Sequence, residues 1–230
     1  MDALPIHPYY PLDVEIADYV ANEWGTLTLV SIFAAVCTAV FTVTYAVVKK
    51  ARPNIAAGEI WTILWFVLSG CIHLILEGYY VYHFQHLASK QTVLGQLWKE
   101  YALSDSRYLT QDAFNLCMET ITAVFWGPLS FLLAGLITTN HHLRHPLQLV
   151  VSLGQLYGDI LYYATALFNH VVHRMSYSRP EGCYFWGYFV FMNVFWVVIP
   201  SVLLYQSIMA SGRVFLKTQA GSNGTAKKVN

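Results

Sequence analysis

Four ionisable side chains interrupt stretches of this sequence that are otherwise apolar: His73, Glu77, Glu119 and Asp159. A charged residue at the centre of a membrane-length helix costs about 2.5–3.5 kcal/mol on insertion scales, so such groups usually face a protein interior and serve a function. His73 and Glu77 are four apart, which stacks them on one helical face within reach of a direct, proton-sharing pair. Glu119 is followed at plus three by Thr122 and at plus seven by Trp126, again one face. Gln148, Ser152, Gln155 and Asp159 follow one another at spacings of four, three and four, a polar stripe that must face protein or water rather than lipid. Asn193 precedes Trp196 by three residues. Its amide could orient a carboxyl group, and the indole face could attract a positive centre.

Two readings of these groups compete. Polar side chains in spanning helices often hold helices together, each interhelical hydrogen bond contributing on the order of 0.6 kcal/mol, and the Gln148–Asp159 stripe fits that role. One His and two Glu fit it poorly, because Ser, Asn or Gln would give the same adhesion without the cost of a charge. Two carboxyls in one dry site can divide proton work, one holding a proton to give and the other accepting. Metal binding has little support. His83 with His86, the group His141, His142 and His145, and His170 with His173 lie at membrane edges without a clustered Cys or carboxylate.

The elements that must position these groups are apolar helices. Of 230 residues, 56% are hydrophobic and only 11% charged, which excludes an ordinary water-facing globule. Five stretches long enough to cross a bilayer fall at roughly 26–48, 60–83, 114–138, 146–168 and 184–206. The expected fold is therefore all-α: a polytopic membrane protein, a bundle of five transmembrane helices with an intramembrane pocket. Thirteen basic and thirteen acidic residues cancel, so no basic stripe argues for a nucleic-acid partner.

Charge placement predicts the orientation. Asp2, Asp13, Glu15, Asp18 and Glu23 precede the first span, whereas Lys49, Lys50 and Arg52 follow it. That polarity is wrong for a cleaved signal peptide and suits an N-terminus outside the cytosol. Five spans then put the C-terminus in the cytosol, with Arg144, Arg213, Lys217, Lys227 and Lys228 on the same side as Lys49. The terminal Lys227-Lys228-Val229-Asn230 looks like a dilysine retrieval signal for the endoplasmic reticulum. The sequon Asn223-Gly224-Thr225 would then face the cytosol and stay unmodified. Cys37, Cys71 and Cys117 lie inside spans and show no paired spacing, so no disulfide framework is expected, with Cys183 at a membrane edge as the one exception. Residues 1–25, with Pro5, Pro8 and Pro11 among aromatics, read as an extended or interfacial lead-in. Residues 26–57 form the first span and a cytosolic loop, 58–205 a four-helix unit and 206–230 a cytosolic tail. Its last 15 or so residues are polar enough to be disordered. Between spans two and three, the amphipathic run from Gln96 to Tyr108 predicts a short interfacial helix over one mouth of the pocket.

Several runs together resemble the emopamil-binding-protein (EXPERA) family of 3β-hydroxysteroid Δ8,Δ7-isomerases: Ile72-His73-Leu74-Ile75-Leu76-Glu77-Gly78, Leu97-Trp98-Lys99-Glu100-Tyr101, Asp105-Ser106-Arg107-Tyr108, Met118-Glu119-Thr120-Ile121-Thr122, Gln155-Leu156-Tyr157-Gly158-Asp159 and Tyr188-Phe189-Val190-Phe191-Met192-Asn193. The resemblance extends from about Gly58 to about Tyr205. It implies an endoplasmic-reticulum enzyme of cholesterol synthesis, often a dimer, that converts zymosterol-like 8(9)-unsaturated sterols without a cofactor. It also implies binding of cationic amphiphilic drugs and association with a sterol reductase. By the same resemblance His73, Glu77 and Glu119 are catalytic. Thr122, Asn193, Trp196, Tyr108 and Met118 bind or orient the substrate, and Gln155 and Asp159 support them. Two other functions are open to the same residues: a non-catalytic receptor for sterols or amines, and a proton-coupled transporter. Against the transporter, no inverted repeat is visible, and Pro128 and Pro200 stand alone in their spans.

Overall fold

The structure, a computed structural model, describes residues 7–226. Helix α1 is Thr26–Ala51, its last turn carrying Lys49 and Lys50 where cations meet the negative end of the helix dipole. Helix α2 covers Ala57–His83, and α4 covers Ala113–Thr138. Between them the short α3, Val93–Tyr101, starts where the Thr92 hydroxyl accepts from the Gly95 amide; Asp112 caps α4 in the same manner through Asn115. Helix α5 is Arg144–Val172. Helix α6 begins as the π-helical Cys183–Met192 and continues without a break through Asn193–Ala226.

Helices α1, α2, α4 and α6 are each long and apolar enough to cross a membrane. The remaining expected span, α5, has 29 residues, but its polar stripe keeps it from qualifying by hydropathy. It packs along α6 and against α4, while α2 packs along α4 and α1 leans on α2. Apolar side chains such as Val36, Val43, Leu132, Val198 and Val202 point outward, as lipid-facing positions do.

The ends of the bundle are tied differently. At one end Glu59 pairs with both Arg52 and Arg144, and Arg52 donates to the Ile137 carbonyl. At the other, the α2–α4 and α5–α6 connections meet. The Ser106 amide donates to the Tyr177 carbonyl at 3.2 Å, and the Arg179 amide donates to that of Leu103 at 3.0 Å. Arg107 and Asp105 form a buried bidentate pair there, with Arg107 also donating to Thr165 and lying 4.9 Å from the Tyr162 ring.

Two expectations need revising. The N-terminal segment is non-helical over residues 7–25, yet it is a packed strap rather than a lead-in. Gln96 Oε1 accepts from the amides of Glu23 and Trp24, Tyr9 Oη donates to the Lys99 carbonyl, and Lys99 Nζ donates to the Val20 carbonyl. The proline-spaced aromatics Tyr9 and Tyr19 stack edge to face at 5.5 Å, which gives an irregular chain a core of its own. The polar tail is also not disordered over its described part, because α6 runs on to Ala226. Once a helix is nucleated, each added residue costs little. The Lys227-Lys228 signal lies outside the described residues.

Two apolar clusters make the interior. Ile63, Phe66, Leu133, Ile137, Val151 and Leu203 form one; Tyr80, Trp98, Tyr108, Tyr162 and Phe189 belong to the other. On α2, α4 and α5 the ionisable residues fall between the positions that feed these clusters, at mid-bundle.

Two outcomes test this packing. Arg107→Met leaves the buried Asp105 carboxylate without its partner and should destabilise the detergent-solubilised protein by about 3–5 kcal/mol, much of it recovered by adding Asp105→Asn; unfolding by denaturant measures both. Burial pushes the pKa of Lys99 down to about 8, with Glu23 opposing. An unfolded chain keeps the lysine proton to about pH 10.4. Between about pH 8 and 10 the unfolded state therefore holds more protons, and the native state gains stability as pH rises. Lys99→Met should flatten that gain, and identical pH slopes for variant and wild type would show that Lys99 keeps an ordinary affinity for its proton.

Candidate functional site

The site forms where α2 and α4 both leave regular helical geometry. Ile72–Glu77 and Thr122–Trp126 are π-helical, the widened form that often marks functional positions in helices. The two π turns lie against each other. Their close approach depends on Gly127, where a Cβ would stand 3.2 Å from the Leu74 amide nitrogen and 3.4 Å from the His73 Cβ. A second glycine, Gly154 of α5, lies under the Trp126 ring, and a Cβ there would come within 2.4 Å of it. Trp126 thus serves packing on the face that also carries Glu119 and Thr122.

His73 Nδ1 lies 2.7 and 2.9 Å from the two Glu77 oxygens, the direct pair that the four-residue spacing predicts. On the other ring nitrogen, Gln155 Nε2 approaches His73 Nε2 at 3.1 Å. The two contacts agree with one tautomer: Nδ1–H donates to the carboxylate and Nε2 accepts from the amide. The Thr122 hydroxyl donates to Glu77 Oε2, lies 3.3 Å from Glu119 Oε2 and caps the Glu119 carbonyl at 2.9 Å. Tyr108 Oη donates to Glu119 Oε1 at 2.6 Å. Two carboxyls from different helices are therefore joined through one hydroxyl, with an imidazole behind one and a phenol behind the other. All of these groups but Thr122 are buried.

The other expected residues take varied places. Trp196 and His73 meet edge to face with ring centroids 6.2 Å apart, and Trp196 packs on Trp65 at 5.2 Å, so it borders the network. The Asn193 amide reaches neither glutamate and donates to Tyr101 Oη at 2.8 Å and to the Phe189 carbonyl at 2.7 Å. Met118 faces Gly158 of α5. The α5 stripe divides in function: Gln148 donates to the Leu203 carbonyl and ties α5 to α6, whereas Gln155 supports His73. Asp159 is buried, and its Oδ2 has no hydrogen-bond partner among the described residues.

Tyr101, Tyr162 and Trp65 belong to the surroundings of the site and were not evident from composition. Tyr101 Oη sits 3.5 Å from that of Tyr162 while accepting from Asn193. A tyrosine in an aromatic-rich membrane protein reads as interfacial or core, and only the Asn193 contact sets Tyr101 apart. Open hollows of about 480 Å³, beside Arg107, Asp112 and Phe168, and about 540 Å³, beside Tyr10 and Met175, are lined by neither Glu77 nor Glu119. Among the described residues no cluster of three or more His, Cys, Asp or Glu could hold a metal ion.

This arrangement can give a proton, take one back and present an aromatic face beside the exchange, all without a metal. Residues 93–207 match the family model of EXPERA, the EXPanded EBP superfamily. The chain is 38% identical over 207 residues to the 3-beta-hydroxysteroid-Delta(8),Delta(7)-isomerase of Cavia porcellus, covering 89% of this chain and 88% of that one. It is 38% identical over 208 residues to the protein of the same name from Mus musculus, covering 90% and 89%. A more distant relative, the isomeliandiol synthase of Ailanthus altissima, is 29% identical over 204 residues, covering 85% and 87%. With relatives 38% identical over 89–90% of its length and a family model matching residues 93–207, the chain belongs to the EXPERA family.

Proposed function

We propose that this protein is a sterol isomerase that moves a ring double bond from Δ8(9) to Δ7. The observation that carries the reading is the Glu77–Thr122–Glu119 bridge with His73 behind it. The reaction needs a proton delivered at C9, a cation held at C8 and a proton removed from C7. Atoms balance without a cofactor, because each turnover returns the proton it spends. Two carboxyls within one hydrogen-bonded network meet that need: one donates while the other, backed by His73, accepts. The Thr122 hydroxyl, in contact with both, can pass the recovered proton back and reset the site.

Charge at C8 is met by the buried carboxyls and by the Trp196 face, where a cation gains about 2 kcal/mol or more once desolvated. The apolar clusters above and below keep water from trapping the cation. Asn193 acts through Tyr101, and Tyr108 fixes the Glu119 carboxyl. Protonated amines with a flat apolar body would mimic the cation, which accounts for amphiphilic amines as ligands. The enzyme works as a multi-pass protein in the endoplasmic-reticulum membrane, its N-terminal strap luminal and its C-terminus cytosolic, as the charge placement directs. A non-catalytic receptor of the same fold would keep the pocket and lose the reaction.

Purified protein incubated with zymosterol in D2O should yield the Δ7 isomer carrying one deuterium at C9, because the carboxyl and hydroxyl protons of the relay exchange with solvent between turnovers. Glu77→Gln and Glu119→Gln, each verified as folded, should lose about 10²–10⁴-fold in rate. Binding of sterol without turnover in the wild type would instead establish the receptor. The bridge has its own test. Thr122→Val removes a hydrogen bond to a charged group and should slow turnover about 10- to 100-fold, with Thr122→Ser restoring it; a valine variant at full rate would remove Thr122 from the relay.

A further inference from the structure

The isomerase network leaves one acid unexplained. Asp159 is only 8% exposed, and its Oδ2 has no hydrogen-bond partner. A buried carboxyl without a partner is costly, so it calls for a role. One turn earlier on the same face of α5, Gln155 is 3% exposed; its Nε2 is spent on His73, and its Oε1 also has no partner. The buried side chains thus present two acceptors in succession and no free donor between them. Of the donors nearby, the Ser152 hydroxyl is itself unpartnered but stands a turn beyond Gln155 on the side away from Asp159, and two others are already committed. Tyr163, four residues after Asp159, donates to the Phe189 and Val190 carbonyls, and the Asn193 amide is taken up by Tyr101 and Phe189. What the position lacks is a donor from a ligand.

The spacing indicates which one. Four helical residues rise about 6 Å, so Asp159 lies that far along α5 from the residue that holds His73. In a sterol, the 3β-oxygen and C9, the carbon that receives the proton, stand on either side of ring A, a comparable distance. A Δ8 sterol carries one polar group, and that group has one proton to donate. We infer that Asp159, with the Gln155 carbonyl oxygen beside it, is the seat that accepts the 3β-hydroxyl of the substrate and sets the distance between ring A and the proton relay. The inference rests on the isomerase reading above. It assigns Asp159 to recognition of the free alcohol and separates that from the chemistry at Glu77 and Glu119.

The test compares a 3β-hydroxy Δ8 sterol with its 3-O-methyl ether, which accepts but cannot donate, in both turnover and equilibrium binding. Wild type should prefer the free alcohol by about 10- to 100-fold, the range for a hydrogen bond to a charged acceptor. Asp159→Leu should erase that preference, the loss falling on KM and on sterol binding. Asp159→Asn, which keeps one acceptor oxygen, should retain part of it and serves if the leucine variant does not fold. A folded Asp159→Leu that still prefers the alcohol, or one whose loss falls on kcat alone, overturns the assignment and leaves the isomerase standing. A wild type that binds both sterols equally also overturns it. Wild type that prefers the alcohol in binding yet turns over neither sterol would support the seat while removing the isomerase reading.

Discussion

A carboxylate shut away from water has to be answered by hydrogen bonds from the chain, and Glu77 takes them from His73 on its own helix and Thr122 on the next. Uncompensated, a charge at that depth costs several kcal/mol. Much of the interior can be understood as the means of supplying those partners. His73 must be held in the tautomer that donates to Glu77, and Gln155 does this from α5. Glu119 needs its own donor, and Tyr108 reaches it from the connection between α3 and α4. That connection is fixed by the Arg107–Asp105 pair and by Arg107 over the Tyr162 ring. The strap over α3 then shields the backbone beneath it. From one carboxylate outward, each layer satisfies the one inside it.

Such contacts require helices closer together than large side chains permit. Gly127 lets α4 rest on the His73–Leu74 backbone, and Gly154 lets α5 accept the Trp126 ring. In membrane bundles, where lipid competes equally for apolar surface, small residues at contacts do much of this work. The π turns serve the same end by another route. They redirect side chains within continuous helices, so Glu77 and Thr122 meet across the α2–α4 contact without a break in either span. The third π segment, Cys183–Met192, ends where Asn193 turns toward Tyr101.

The apolar runs and the residues that interrupt them were legible in the sequence because lipid leaves few solutions: a long apolar stretch must be a helix, and an acid within it must face inward. The His73–Glu77 contact was equally legible, since a spacing of four brings side chains together in an α-helix and still does so through the π turn found here. What could not be read was anything set by tertiary register. Nothing in the residue types says that Thr122 would touch both glutamates, that Asn193 would hold a tyrosine, or that Gln148 and Gln155 would serve different ends of one stripe. The strap escaped notice for a related reason. Its order comes from hydrogen bonds to Gln96 and Lys99, some seventy to eighty residues away, and its local sequence carries no periodic signal. The polar end of α6 is the opposite case, where composition suggested disorder and helix propagation prevailed.

The division of the interior into two apolar clusters with a thin polar layer between them has a chemical consequence. On the isomerase reading, a cationic intermediate in such a layer would meet carboxyls and an indole, with apolar side chains on either side to keep a nucleophile away. The same layer makes the proton-bearing groups interdependent. His73, Glu77, Thr122 and Glu119 form one hydrogen-bonded chain, so the charge on one carboxyl bears on the other. A reaction that takes a proton at one carbon and surrenders one at a nearby carbon is suited to such a unit, because the unit ends each cycle with the protons it began with. The geometry therefore favours transposition of a double bond over other chemistries that buried carboxyls support in membranes, in which protons must enter on one side and leave on the other.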